Sequence, residues 1–211
     1  MNKVKRLIIV AAPSCCGKST FINQLMQGEL EHVEEQLGTK SIHNWIFRDI
    51  FLHEEEIFNL ENPDQLHLIL HYTIPYPAIK YLLRPGYDKK GRLTILKASD
   101  DIIFMTLYAS PDTLLHRIEL RRKRVNERRE QGKVLTHKYD RTMRTLKRLE
   151  TIYANPTKLG LMYNRWFEFC HNIDLKGHYL VNVDQVPRLG SISKWPQITD
   201  KWLKSDHSKA I

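Results

Sequence analysis

The sequence predicts an α/β protein in which a parallel β-sheet is covered by helices on both faces. Five short apolar runs, each typical of a buried strand, alternate with stretches in which apolar residues have helical spacing. These segments fall within residues 7–10, 40–47, 66–73, 101–109 and 177–184, and the second of them alternates apolar and polar residues. Because 211 residues are enough to bury one continuous core, we expect a single domain over residues 1–211, ending in a tail at about 186–211.

The first apolar run leads directly into a tight loop and then into a helical pattern. Residues 12–20 come close to G-x-x-x-x-G-K-[ST], the pattern of a phosphate-binding loop, or Walker A motif. In such a loop, backbone N–H groups and the positive end of the following helix surround an anion. The predicted nucleotide-binding residues are Ala12, Pro13, Ser14, Cys15, Cys16, Gly17, Lys18, Ser19 and Thr20.

Three of these residues have specific chemical roles in the prediction. Gly17 lets the backbone approach a phosphate closely, because it has no Cβ. Lys18 brings a positive charge to the β- and γ-phosphates, and the Ser19 hydroxyl can bind Mg²⁺. The first glycine of the pattern is replaced by Ala12, so we expect an ordinary negative φ there. The alternative is a helix that begins at Lys-Ser without a ligand.

These nine residues resemble the phosphate loop of P-loop kinases, and the Pro13-Ser14 pair is similar to that of guanylate kinases. The resemblance implies a P-loop NTPase three-layer sandwich with a five-stranded parallel sheet in the order 2-3-1-4-5. It also implies ATP and Mg²⁺ as ligands, Lys18 as a catalytic residue and Ser19 as the metal-binding residue.

A basic helix follows the fourth apolar run. Ser110 and Pro111 are typical of an N-cap and a first helical position. The helix that they begin carries four arginines spaced 4, 3 and 4 residues apart, and this spacing puts them on one face: Arg117, Arg121, Arg124 and Arg128.

This arrangement is similar to the lid region of P-loop nucleotide and shikimate-type kinases, in which arginines close over the phosphates. The resemblance implies a lid-like helical segment at about 112–150, with Arg121 and Arg124 as catalytic residues and Arg117 as a further candidate. Two alternatives remain, a solvated basic helix and a face that binds a nucleic-acid backbone.

The ends of the second and third runs also bear on function. Ligands of open α/β sheets collect beyond the carboxyl ends of strands, so Asp49 is predicted as a catalytic base on the acceptor side. A surface ion pair is the alternative. The third run ends in His71, Tyr72 and Thr73, without the aspartate that often helps to hold Mg²⁺ in phosphate-loop enzymes.

Composition narrows the functional class. The net charge of +9 favours anionic partners. The sequence has no apolar run long enough for a membrane span, and the first strand follows the N-terminus too closely for a signal peptide. Its three cysteines do not suggest a disulfide framework. We therefore expect a cytoplasmic, ATP-dependent phosphotransferase that acts on a small-molecule acceptor such as a nucleoside, nucleotide or sugar. The alternatives are a nucleotide-binding regulatory or assembly protein with weak hydrolysis and a polynucleotide-directed enzyme, with nucleic acid the less favoured partner.

Overall fold

The computed structural model describes residues 4–38, 45–49, 67–74, 99–171, 175–184 and 189–191. Within these ranges six strands form one sheet: β1 Arg6–Ala12, β2 Ile46–Asp49, β3 His67–Thr73, β4 Ile102–Tyr108, β5 Gly177–Asn182 and β6 Leu189–Ser191. The same ranges contain the helices α1 Lys18–Met26, α2 Glu31–Gln36, α3 Pro111–Glu130, α4 Thr136–Tyr153 and α5 Pro156–His171.

The strands lie in the order β2-β3-β1-β4-β5-β6. The first five strands in this order are parallel to their neighbours, so the expected parallel order 2-3-1-4-5 is confirmed. β6 is an addition, because it pairs antiparallel with β5 at the edge of the sheet. β6 was not predicted, since a three-residue strand is too short to show a period of two.

β1 is the central strand, with β3 on one side and β4 on the other. Every residue from Leu7 to Ala12 is buried, which requires that both faces of this strand are covered. A parallel strand in this position needs apolar side chains on both faces, and this explains its uninterrupted apolar run. The loop after β1 consequently lies at the centre of the carboxyl edge of the sheet, where open α/β sheets bind ligands.

α5 supplies the aromatic part of the core. Its Trp166 is buried and stacks on Phe104 of β4, with ring centroids 5.5 Å apart. The Trp166 indole N–H donates to Thr106 Oγ1 at 2.8 Å, and the same hydroxyl lies 2.6 Å from His178 Nε2. These buried polar contacts thus link α5, β4 and β5.

α3 and α4 pack against each other as a helical hairpin, which occupies the predicted lid-like segment. The predicted N-cap is confirmed, because Ser110 Oγ accepts the Thr113 backbone N–H at 3.2 Å and Pro111 follows it. Arg122 of α3 forms a salt bridge of 2.7 Å with Glu150 of α4. Of the helices that the structure describes, none combines the length and the apolar character needed to cross a bilayer.

Candidate functional site

The loop between β1 and α1, residues 13–17, has an unusual backbone. Ala12 is the last residue of β1 and is not among the residues with positive φ, as expected. Cys15 has φ 67°, a left-handed conformation that few residues other than glycine adopt. Gly17 has φ 96°, and a Cβ at this position would lie 3.1 Å from Nη1 of Arg117. The positive φ therefore favours glycine at position 17, and a Cβ there would also require the Arg117 guanidinium to shift by a few tenths of an ångström.

The N-terminus of α1 opens from this loop. Gly17 is its N-cap, and no described side chain accepts a capping hydrogen bond or places a carboxylate in the first turn. The first amides of a helix have no partner within the helix, and the helix dipole gives this end a partial positive charge. An uncapped N-terminus of this kind is suited to bind an anion such as a phosphate.

Lys18, the first residue of α1, is 5% exposed. Its Nζ donates to the carbonyl of Ala12 at 2.8 Å and to that of Pro13 at 2.9 Å. The ammonium group is thus held beside the loop by the carbonyls at the end of β1. A phosphate bound at the loop would compete with these carbonyls for the same donors.

The helical hairpin holds the loop from the other side. Arg117 of α3 donates from Nη1 to the Cys16 carbonyl at 2.6 Å and from Nη2 to the Val183 carbonyl at 2.9 Å. Tyr153, at the end of α4, donates its hydroxyl proton to the Ser14 carbonyl at 2.6 Å. Two consecutive helices therefore fix the shape of the loop through its carbonyl groups.

A cleft of about 870 Å³ opens beside the loop, a volume typical of ligand pockets. One wall is formed by the loop and the first turns of α1. A second wall is the end of β3, with His71 and Thr73, and a third is one face of α3, with Arg117, Arg121 and Arg124. The expectation that the loop and these arginines lie together is met by the structure.

The cleft is positively charged. It is lined by Lys18 and three arginines, and among the described residues no aspartate or glutamate lines it. The hydroxyl groups of Ser19 and Thr20 also line the cleft and are exposed. This combination of backbone donors, cations and hydroxyls matches the charge and the hydrogen-bonding groups of a polyphosphate.

The described residues also test whether Mg²⁺ fits. They contain no group of three or more His, Cys, Asp or Glu side chains arranged to hold a metal ion. Ser19 lines the cleft, and its hydroxyl can serve as a ligand of a cation that is bound mainly by phosphate oxygens and water, which is how Mg²⁺ is often held. The residues are therefore compatible with Mg²⁺ that enters together with a phosphate ligand.

The predicted site residues fall into three groups. Lining the cleft are Ser14, Cys15, Gly17, Lys18, Ser19, Thr20, Arg121 and Arg124. Ala12, Pro13 and Cys16 are buried and do not line it, so they support the loop. Burial raises the pKa of the Cys16 thiol to about 12, so this thiol stays protonated at neutral pH.

Asp49 belongs to the third group. It is the last residue of β2, and its Cα is paired in the sheet with that of His71, a residue of the cleft wall. The Asp49 side chain lies outside the described residues, so its predicted role stays a prediction.

His71 and Thr73, which line the cleft, and Tyr153, which contacts the loop, were not predicted as binding or catalytic residues. The first two could have been found, because β3 was expected beside β1 and its end must then adjoin the loop. Tyr153 gave no such signal, since 139 residues separate it from its partner Ser14.

In comparisons with known proteins, this chain matched no protein-family model, no curated protein and no solved structure.

Proposed function

We propose that this protein is a P-loop kinase that transfers the γ-phosphoryl group of ATP to a hydroxyl or phosphate group of an acceptor. The observation that carries the proposal is the convergence of the uncapped N-terminus of α1, Lys18 and the arginines of α3 on one cleft. A module that only binds nucleotide needs the loop, whereas Arg121 and Arg124 on the opposite wall are also placed to contact a group in transfer. A kinase uses such arginines to stabilise the charge of the group in transfer.

Each residue has a role that follows from its position. The loop and the first turn of α1 would bind the phosphates through backbone N–H groups, and Lys18 would contribute a charge-assisted hydrogen bond to them. Ser19 would hold Mg²⁺, which, when bound, neutralises charge on the β- and γ-phosphoryl oxygens.

Transfer is a displacement at the γ-phosphorus. An acceptor oxygen forms a bond to this atom while the bond to the β,γ-bridging oxygen breaks, and the bonding electrons leave with ADP. Arg121 and Arg124 would donate hydrogen bonds to the oxygens of the transferred group. The acceptor proton would pass to Asp49, the predicted base, whose backbone is paired with that of His71 in the cleft wall.

Isothermal titration with ATP and Mg²⁺, followed by an ADP-release screen of nucleosides, nucleotides and sugars, tests the proposal. We expect ATP binding and acceptor-dependent ADP release, both lost in Lys18→Ala. Arg121→Ala should lower the transfer rate about 100-fold, as expected when one donor to developing charge is removed. Lys123→Ala is the matched control, because it removes a charge from an exposed position of α3 outside the cleft.

Two results would count against the proposal. Tight ATP binding with no acceptor-dependent ADP release would instead favour the regulatory module. If the wild-type protein binds no ATP, the assignment of the cleft to nucleotide is wrong. A melting curve for each variant separates loss of folding from loss of function.

A further inference from the structure

α3 has three faces of different character. One face packs into the protein, with Leu114 and Ile118 buried. A second face carries Glu119, Lys123 and Glu127, whose charges alternate at a spacing of four residues, and this is the usual pattern of a solvated helix. The third face is the arginine row, which we define as Arg117, Arg121, Arg124 and Arg128.

The arginine row lacks the alternation of the second face. Each neighbouring pair along it, three or four residues apart, is a pair of like charges, and such pairs destabilise an isolated helix. Within the described part of the chain, the salt bridges join other residues, and none involves the row. Arg117 donates to carbonyl groups and Arg121 contacts Cys15 Sγ at 3.7 Å, so these contacts do not neutralise the row. An anionic ligand would neutralise the positive charge of the row.

The row continues beyond the cleft. Arg117, Arg121 and Arg124 line the cleft, whereas Arg128 does not. At 1.5 Å per residue, Arg128 lies about 6 Å further along the helix than Arg124 and about 16 Å beyond Arg117. A nucleotide and a small acceptor inside the cleft would not contact Arg128, whereas a ligand with repeating phosphates could extend from the cleft to it.

The rest of the helical hairpin adds to the positive charge around the row. Residues 111–153 contain 13 lysine or arginine residues and six aspartate or glutamate residues, so they account for most of the net charge of +9. A concentration of positive charge next to a cleft raises the local concentration and the association rate of polyanions.

We propose that a single-stranded polynucleotide lies along the arginine row. Arg128 binds its phosphodiester backbone outside the cleft, and its terminal hydroxyl is the phosphoryl acceptor in the cleft, where Arg121 and Arg124 contact the group in transfer. This inference rests on the proposed kinase function and names its acceptor. A single row of cations suits one strand better than the two backbones of a duplex. The terminal hydroxyl oxygen bonds to the γ-phosphorus as ADP leaves with the β,γ-bridging oxygen, its proton passes to the base, and the strand gains a terminal phosphate monoester.

Arg128 provides the sharpest test of binding, because it belongs to the row but not to the cleft. Fluorescence anisotropy of a short single-stranded oligonucleotide with a free 5′-hydroxyl, without ATP, gives its affinity over a salt series of about 50 to 200 mM. We expect Arg128→Ala to weaken binding severalfold and to lower the slope of log affinity against log salt by about one. Lys123→Ala, which removes one charge from another face of the same helix, should leave affinity within about twofold of wild type.

Three outcomes of the binding test overturn the inference. The first is an equal loss in Arg128→Ala and Lys123→Ala, which would mean non-specific attraction by net charge. The second is the absence of oligonucleotide binding. The third is binding to vesicles of phosphatidylserine and phosphatidylcholine that depends on Arg128 while the oligonucleotide does not bind, because the row would then contact a membrane surface.

A transfer assay separates this inference from the kinase proposal. ATP labelled at the γ-phosphate, incubated with the oligonucleotide, should leave label on its terminal hydroxyl and none on an oligonucleotide blocked at both ends. If nucleosides or sugars are phosphorylated and the oligonucleotide is not, the acceptor assignment is wrong and the kinase proposal stands. If the protein binds the oligonucleotide but no ATP, the kinase proposal fails, and the acceptor assignment fails with it.

Discussion

Cys15 and Cys16 are adjacent in the sequence but lie in different environments. Cys15 is half-buried, lines the cleft and has Arg121 Nη1 3.7 Å from its sulfur. Cys16 is fully buried, and burial raises its pKa to about 12. Cys170 is also buried, and desolvation raises its pKa well above the usual range. Since the thiolate is the reactive form, Cys16 and Cys170 should be inert in the folded protein.

Cysteine labelling under native conditions can therefore report on the cleft. We expect iodoacetamide to modify Cys15 and to leave Cys16 and Cys170 unmodified, because only Cys15 is open to the cleft. A non-hydrolysable ATP analogue with Mg²⁺ should slow the modification by covering the thiol. Tandem mass spectrometry distinguishes the adjacent cysteines, and Cys15→Ser is the control. An unchanged labelling rate with saturating analogue would mean that the nucleotide does not occupy the cleft beside Cys15.

At the level of elements, α4 contributes to the site without lining it. The Tyr153 hydroxyl donates to the Ser14 carbonyl, and burial raises the pKa of this tyrosine above its usual value, so the donor proton is retained. At the other end of the same helix, the Tyr139 hydroxyl donates to Asn126 Oδ1 at 2.9 Å. The hairpin thus has one tyrosine hydrogen bond to the loop at its base and one between its own helices at its tip.

These two tyrosines form a matched pair of variants. Tyr153→Phe removes the hydroxyl that donates to the Ser14 carbonyl of the loop. We expect a loss of about 1–3 kcal/mol in the free energy of unfolding. We also expect the KM for ATP to rise about tenfold, which corresponds to about 1.4 kcal/mol of binding energy, because the loop is no longer held in shape. Tyr139→Phe makes the same chemical change far from the loop. If both variants alter the KM for ATP equally, Tyr153 has no specific role in positioning the loop.

The elements differ in how far the sequence could predict them. Apolar runs and the Ser110-Pro111 cap predicted the five parallel strands and the start of α3, because these depend on local composition and spacing. The loop shape was less accessible, since Cys15 adopts a left-handed conformation that its residue type does not suggest. The contacts of Arg117 and Tyr153 with the loop join residues 101 and 139 positions apart, and no local pattern encodes them.

For the whole molecule, the strand order followed from the resemblance of residues 12–20 to a known loop, and periodicity alone would not have given it. The order determines the site, because it places the end of β3 and the start of α3 on opposite sides of the loop after β1. The arrangement of the cleft walls therefore depends on the pairing of the strands in the sheet. The buried polar contacts of Trp166, Thr106 and His178 lie within that sheet and the helix packed on it.

His178 makes the stability of the whole molecule sensitive to pH. It is 6% exposed, it has Phe104 and Phe167 rings at 5.8 Å, and burial lowers its pKa to about 3. In the unfolded chain a histidine titrates near pH 6.5. Between about pH 6.5 and pH 3 the unfolded chain therefore binds a proton that the folded protein does not, so the free energy of unfolding decreases as the pH falls.

The size of this effect can be isolated with His178→Gln, whose amide can still bond to Thr106 but does not titrate. Urea unfolding of both proteins at pH 7 and pH 5 gives the loss of stability for each. We expect the wild type to lose about 2 kcal/mol more than the variant over this interval, because one additional proton binds to its unfolded state. When the two losses are compared, the contributions of the other titrating groups cancel, and so does any change in stability that the substitution causes at both pH values. Equal losses would show that His178 titrates alike in the folded and unfolded states, and hence that it is not enclosed between α5, β4 and β5.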